Sequence, residues 1–401
     1  MRVIAHRILS LFSGLFNFCL HLLAFVVRKV ASRTLDPGKQ HILISRPDAV
    51  GDLLLFSASL PVYRKLFPKA RIVMIVMNSS FNYAEYCPWV DEVWSLPRRG
   101  FRLNPVERWR WCWRLARANF DIAINAVYST DYRHLNCLVG WTHAPRRIAH
   151  RCLDRYAPRQ HSFPYFTELV PSSQEWKFEI ERNFDMLNYL GYTGTVSHKT
   201  EVWIGEDDRA RAVTLKESLE DRSYAVLVPG SQHQQKIWPA DNFVSVIKAV
   251  HEHYPIDWII DGNKNERERC DYIAHRLAGS PVRVLRTAGL TSLRELSAII
   301  ESATLLVAND TGPIHIAAAV GTPTVCVHGG WFYGRFYPYP DNPLTVSVTN
   351  KLPCFNCHMR CILDEEECIT KIKIADVVDA ALKVLAQQST RRDFSLRPSA
   401  L

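Results

Sequence analysis

Between Thr304 and Gly330 the sequence reads TLLVANDTGPIHIAAAVGTPTVCVHGG, and few folds can hold it. Thr304–Ala308 is a short, mostly apolar run of the kind that forms a buried parallel strand. Asn309-Asp310-Thr311-Gly312-Pro313 is turn chemistry. Pro313 suits the first turn of a helix, where a missing N–H costs nothing, and Asp310 or Thr311 can cap it. Ile314–Val320 is then a short helix, Gly321 its stop, and Thr322-Pro323 the exit to a strand at Thr324–Val327. Such a helix start directs N–H groups and a positive dipole end above the sheet, which favours a phosphate. An ordinary crossover is the plainer reading. Asp, Thr, Gly and His crowding one strand end, where α/β sheets bind ligands, favours a site.

The rest of the chain repeats this alternation. In the first half, strands are expected at His41–Ser45, Arg71–Met77, Val90–Leu96 and Phe120–Ala126, with Arg146–His150 as the last. Leu53–Phe67 reads as one helix containing Pro61, and Gln174–Leu190 as the helix that leaves this half. Gly191–Lys199 is rich in Gly, Ser and Thr and reads as a linker. A second series follows. Its helices are expected at Asp207–Leu219, Pro239–His253, Glu266–Leu277 and Leu293–Ile300, and its strands at Tyr224–Val228, Ile256–Ile260 and Val282–Leu285. Ile374–Ala386 is a final helix, and residues 387–401 a loose tail. Alternating strands and helices imply parallel, doubly wound sheets. The expected domains are residues 36–190 and 200–385, two Rossmann-like halves facing across a cleft.

Residues 1–35 stand apart. Ile8 to Val27 carries no Asp, Glu, Lys or Arg and is long enough to span a bilayer. Yet Ser10, Ser13, Asn17 and His21 recur at helical spacing against Leu9, Phe12, Phe16, Leu20 and Leu23. With Arg2, Arg7, Arg28, Lys29 and Arg33 at its ends, the segment suits a membrane-associating helix lying in the interface. A transmembrane anchor, a signal sequence and a helix packed on the protein are the alternatives. Asp36-Pro37-Gly38 breaks it from the globular part. The net charge of +9 points to an anionic partner: nucleic acid, anionic lipid or a phosphorylated substrate. From Arg98 to Arg159 there are 13 Arg, no Lys and four acids. Arg98, Arg99 and Arg102, expected in a loop, are candidates for gripping a phosphate. Arg108–Arg117 reads equally as a solvated helix face with its tryptophans in the core. No recognisable nucleic-acid-binding motif accompanies these residues.

Four constellations carry chemistry. Arg46-x-Asp48-x-x-Gly51-Asp52 follows the first strand. Asp52 there either accepts a proton from a bound hydroxyl or simply caps the helix. Pro229-Gly230-Ser231 can present N–H groups and a hydroxyl to an anion, and Lys236, just before a helix, can neutralise a phosphate. Glu266, in Asp261-Gly262-Asn263-Lys264-Asn265-Glu266, opens a helix or accepts hydrogen bonds from ribose hydroxyls. Asp310-Thr311-Gly312 completes the group. His315 contacts a phosphate or is a helix histidine satisfied by backbone. Separately, Cys354, Cys357, Cys361 and Cys368 have the spacing of a zinc site, with His358 as a substitute ligand; disulfides and free thiols are the other readings. Eleven scattered cysteines fit a reducing compartment better than a disulfide framework.

Gly51-Asp52 after the first strand, Pro-Gly-Ser with Lys-x-Trp-Pro, and Asp-Thr-Gly-Pro-x-His-x-Ala together resemble the heptosyltransferases of glycosyltransferase family nine, over about residues 41–385. The resemblance implies the GT-B fold and an inverting, metal-independent transfer. The donor it implies is a nucleotide-diphospho-sugar, typically ADP-heptose, and the acceptor a phosphorylated glycolipid of the lipopolysaccharide core. The place is the cytoplasmic face of a bacterial inner membrane, with no nucleic acid involved. It makes Asp52 the catalytic base, and the basic loop with Arg98, Arg99 and Arg102 resembles, in character, the region that binds the acceptor's phosphate. Ser231, Lys236, Glu266, Asp310, Thr311, Gly312 and His315 become donor-binding candidates. No cofactor is required for catalysis, and zinc at the cysteines would be structural. The long apolar N-terminus departs from the family pattern. Rival readings are an NDP-sugar epimerase of the same fold and a non-catalytic glycan- or lipid-binding protein. An oxidoreductase is disfavoured, because no Gly-x-Gly-x-x-Gly follows the first strand.

Overall fold

A computed structural model describes residues 2–30, 39–129, 135–153, 165–172, 176–220, 222–340 and 342–395. The expected break at Asp36-Pro37-Gly38 lies outside them. The chain divides into two compact units, Met1–Ser197 and His198–Leu401.

Each unit is built on a six-stranded sheet, parallel throughout. In the first unit the strands are β1 (His41–Ser45), β2 (Arg71–Met77), β3 (Glu92–Leu96), β4 (Ile122–Asn125), β5 (Arg146–His150) and β6 (Glu168–Val170). Their order is β3-β2-β1-β4-β5-β6. In the second they are β7 (Tyr224–Val228), β8 (Asp257–Ile260), β9 (Val284–Arg286), β10 (Leu305–Asn309), β11 (Thr324–Val327) and β12 (Thr345–Val348), in the order β12-β11-β10-β7-β8-β9. Both orders reverse once, between β1 and β4 and between β7 and β10. At such a reversal the loops leaving neighbouring strands diverge and open a crevice at the strands' carboxyl ends. Ile42–Ile44 and Ala225–Leu227 are fully buried, as strands covered on both faces require.

Several expectations need correcting. The single helix over Leu53–Phe67 is two, Val50–Ser57 and Leu60–Leu66, broken at Ala58-Ser59. Pro61 sits in the first turn of the second, where its missing N–H is harmless. Arg98–Leu103 is a short helix, not a loop. β5 is followed by β6, so it is not the last strand. β12, short and at a sheet edge, escaped notice altogether. The last helix runs from Ile374 to Ser395, past the expected start of the tail, because no Gly or Pro interrupts it before Pro398.

No helix among the described residues is long and apolar enough to cross a membrane. The N-terminal helix, Arg2–Val30, packs on the first unit instead. Leu20, Ala24 and Val27 are buried in its core. Asn17 accepts a hydrogen bond from Arg108, and Arg28 donates to the carbonyls of Thr142 and Phe120, both at 2.9 Å.

Candidate active site

The loop after β1 lies at the first reversal. Arg46 is buried there and organises its surroundings. Its guanidinium donates to the Ala126 carbonyl, just beyond β4, and at 3.2 Å to the carbonyl of Asp52. It also meets three carboxylates: Asp48 at 3.1 Å, Glu179 at 3.5 Å and Asp52 at 3.9 Å. Arg182 reaches Glu179 at 3.7 Å and lies over the Tyr128 ring. Burial drives the Asp48 carboxyl well above the usual range; Arg46 pulls the other way, and Asp52 and Glu179 add to the rise. Asp48 therefore holds a proton more readily than an ordinary carboxyl. Of the three side chains on Arg46, Asp52 is the most exposed at 26%, against 16% for Asp48 and 3% for Glu179. Asp52 is also not the helix cap. Ala49 occupies that position with no side-chain cap, and Asp52 stands in the first turn of Val50–Ser57. The capping alternative is thereby removed. What the loop presents to solvent is a carboxylate beside a buried cation.

The second reversal gathers the loops after β7 and β10. Asn309, at the end of β10, ties them together. Its Nδ2 donates to the Pro229 carbonyl at 2.7 Å, and its Oδ1 accepts from the Trp238 N–H at 3.2 Å. This staple brings Lys236 to Asp310, Nζ to Oδ2 2.6 Å. Asp310 also accepts from the Trp331 indole at 3.3 Å and has His328 Nε2 at 3.7 Å. Burial alone would raise its pKa, but the charge of Lys236, aided by His328 and His315, holds it well below the carboxylate range. Lys236 keeps 16% of its side chain exposed.

Next to this pair, Thr311 occupies the N-cap position of the Gly312–Val320 helix in extended conformation, without a side-chain cap bond. Neither Asp310 nor Thr311 caps the helix as expected; Pro313 has no N–H and the Ile314 N–H donates to the Thr311 carbonyl at 3.2 Å, so it is the Gly312 N–H that the helix start offers an anion. Gly321 ends the helix at φ +80°, as its stop signal required. His315 points inward. It is buried, with Nδ1 3.1 Å from the Tyr339 hydroxyl, and burial pushes its pKa down to about 4. It is a satisfied core histidine, bonded to a side chain where backbone was the alternative.

Glu266 closes a capping box: Asn263 N–H donates to it at 2.7 Å, and Asn263 Oδ1 accepts from Asn265 N–H at 2.8 Å. A Cβ on Gly230 would stand 2.2 Å from the Glu266 carboxylate, so glycine at 230 is what lets that carboxylate lie against the loop after β7. Glu266 therefore caps and at the same time borders a cavity of about 1000 Å³, lined also by Ser231, Gln234, Asn263, Lys264 and Arg269. Its size suits a drug- or nucleotide-sized ligand.

The structure thus groups Ser231 with Glu266, and Lys236 with Asp310, Thr311 and Gly312. Asp52 belongs to the other unit. Arg99 and Arg102 are exposed on the helix after β3, the edge strand two places from β1. Of Arg98 only the backbone is described. Cys354, Cys357, Cys361 and Cys368 line one small cavity with Trp331, Leu352 and Met359. All four are free thiols, which corrects the disulfide reading. Among the described residues no three His, Cys, Asp or Glu side chains are arranged to hold a metal ion. Sequence reasoning missed Asn309, His328 and Glu179. Asn309 directly follows an apolar strand, which was the available signal; Glu179 offered none, lying far along the chain from Arg46.

Comparison with known proteins gives a consistent picture. The family model described as Glycosyltransferase family 9 (heptosyltransferase) matches residues 108–364. Lipopolysaccharide heptosyltransferase 3 of Escherichia coli K12 is 26% identical over 356 residues, covering 86% of this chain and 97% of that protein. Among solved structures, a glycosyl transferase family 9 protein from Veillonella parvula superposes with a TM-score of 0.73 at 20% identity, covering 88% of this chain and 99% of that one. E. coli heptosyltransferase WaaC, solved with ADP-2-deoxy-2-fluoro heptose, gives a TM-score of 0.59 at 20% identity, over 87% and 100%.

Proposed function

The chain belongs to glycosyltransferase family 9, the heptosyltransferases, and from that premise we propose that it moves a heptose from ADP-heptose to a phosphorylated glycolipid of the lipopolysaccharide core, with inversion, at the cytoplasmic face of the inner membrane. The observation that carries the reading is the Lys236–Asp310 pair beside an uncapped helix start. A leaving diphosphate needs fixed positive charge, and here an ammonium and the positive end of a helix, with the Gly312 N–H, stand together at a sheet reversal.

In this reading Asp52 takes the proton of the acceptor hydroxyl as its oxygen bonds to the anomeric carbon. The bond from that carbon to the β-phosphate oxygen breaks, and ADP leaves with the electron pair. Arg46 holds Asp52 by its main chain and, with Glu179 and Arg182, fixes the loop. Lys236 and the Gly312 N–H receive the charge on the diphosphate, so the step calls for no metal. Ser231 and Glu266 border the nucleotide. The first unit would choose the acceptor and the second hold the donor. An epimerase reading finds no specific support in the site, and a non-catalytic binding protein would have no use for a carboxylate presented beside Arg46.

Glu266 separates capping from binding. Glu266→Gln keeps an acceptor for the Asn263 N–H, since Gln also serves in capping boxes. The variant is expected to melt within a few degrees of the parent, while its KM for the nucleotide sugar rises about tenfold, as loss of a charged ligand contact implies. Steady-state kinetics and calorimetry check this. An unchanged KM would reduce Glu266 to a cap.

A further inference from the structure

Two helices of the first unit turn the same kind of surface outward. The N-terminal helix and the Pro105–Arg117 helix run side by side in parallel, for Asn17 meets Arg108 and, further along both, Cys112 Sγ donates to the Leu20 carbonyl at 3.1 Å. Each buries one stripe: Leu20, Ala24 and Val27 on the first, Trp111, Cys112 and Leu115 on the second. With core stripes turned the same way, the opposite stripes share one outward face. That face is not polar. It carries Leu22 and Val26, 51% and 56% exposed, with Phe25 on the first helix, and Val106, Trp109 and Trp113 on the second. Trp109 and Trp113, 45% and 38% exposed, stack on each other with ring centres 5.9 Å apart. Of the tryptophans in this helix only Trp111 is in the core, so the alternative that placed them all there does not hold for Trp109 and Trp113.

Charge names the occupant. Arg110, Arg114, Arg117 and Lys29 are exposed on the same two helices. Lys29 lies over the Phe25 ring at 5.0 Å and Arg117 over that of Trp113 at 5.7 Å, so cations and rings are interleaved. The single acid on the two helices is Glu107, paired with Arg110 at 2.6 Å. A protein partner of matched chemistry would have to be both apolar and acidic across the whole face. An anionic bilayer is both by construction: indoles sit at headgroup depth, and arginines snorkel to phosphates.

We propose that these two helices form one docking face for an anionic membrane surface, the N-terminal helix being half of that face and not a separable anchor. The proposal rests on the reading that this enzyme works on a lipid-linked acceptor. The test uses the full chain with phosphatidylcholine vesicles, with and without phosphatidylglycerol, and the exposed-site variants Trp109→Ser/Trp113→Ser and Arg110→Gln/Arg117→Gln. The parent is expected to sediment with the anionic vesicles and much less with the neutral ones. Each double variant should bind about tenfold or more weakly, with unchanged melting. Transfer to a water-soluble, delipidated core acceptor should be unaffected in both. Parent-like binding by the tryptophan variant would overturn the shared face and leave the N-terminal helix as the sole anchor. Absence of binding by the parent, with concentration-dependent self-association, would assign the face to a second copy of the chain. Failure of the parent to transfer to the soluble acceptor would strike the functional reading and leave the vesicle result standing.

Discussion

Asp52→Asn is expected to lower kcat by about 10²–10⁴-fold while the affinity for the nucleotide sugar changes little. The substitution keeps the shape of the side chain and its place in the first turn of Val50–Ser57. It also leaves the Arg46 bond to the main-chain carbonyl of residue 52 intact. What it removes is the ability to take a proton. Stability should be nearly unchanged, because the 3.9 Å contact with Arg46 is the longest of that cation's three carboxylate contacts, and Asp48 and Glu179 remain. Donor binding by calorimetry, beside turnover by product formation, separates the two effects. Turnover near the parent's would end the assignment of Asp52 as base. Glu179→Gln should behave differently: it disturbs the buried cation and is expected to cost stability as well as rate.

Lys236→Met has the second large expected effect, and it acts twice. Removing the ammonium leaves the Asp310 carboxylate buried without its nearest charge, which is expected to cost about 3–5 kcal/mol of stability. It also removes a fixed charge from the diphosphate, lowering kcat by about 10²–10³-fold, the scale of one transition-state donor. A double variant tells the two apart. Lys236→Met/Asp310→Asn should regain much of the stability, as both charges are gone, and none of the activity. The pH dependence has a definite sign. Asp310 titrates far below an unfolded aspartate, near 3.9, so the pair stabilises fully above that value. The contribution is lost as pH falls below it toward the depressed native value. The single Lys236 variant should lose this acid-limb slope. Recovery of activity in the double variant would remove Lys236 from the site.

Much of this arrangement was legible because chemistry and topology coincide. Asp52, Ser231, Glu266 and Asp310 each follow closely on an apolar run, and in a parallel sheet that position is the ligand edge. The two strand-order reversals, which decide which of those edges matter, are tertiary facts that no local window holds. The same limit hid Arg46's partners. Glu179 and Arg182 look like ordinary helix charges until β1, β4 and the Glu179–Tyr189 helix bring them together. His315 misled for the opposite reason. Its neighbours in sequence are site residues, yet helical geometry turns it inward to Tyr339. The tryptophans of the Pro105–Arg117 helix show how one period divides a run: Trp111 falls on the core stripe, and Trp109 and Trp113, two positions either side, fall outside it.

The most direct measurement is product analysis by NMR and mass spectrometry after incubation of the full chain with ADP-heptose and a lipopolysaccharide core acceptor. The account predicts one heptose added to the acceptor, with inverted anomeric configuration and one ADP released per transfer. An unmodified acceptor would contradict it, and so would a nucleotide sugar whose configuration changes when no acceptor is present.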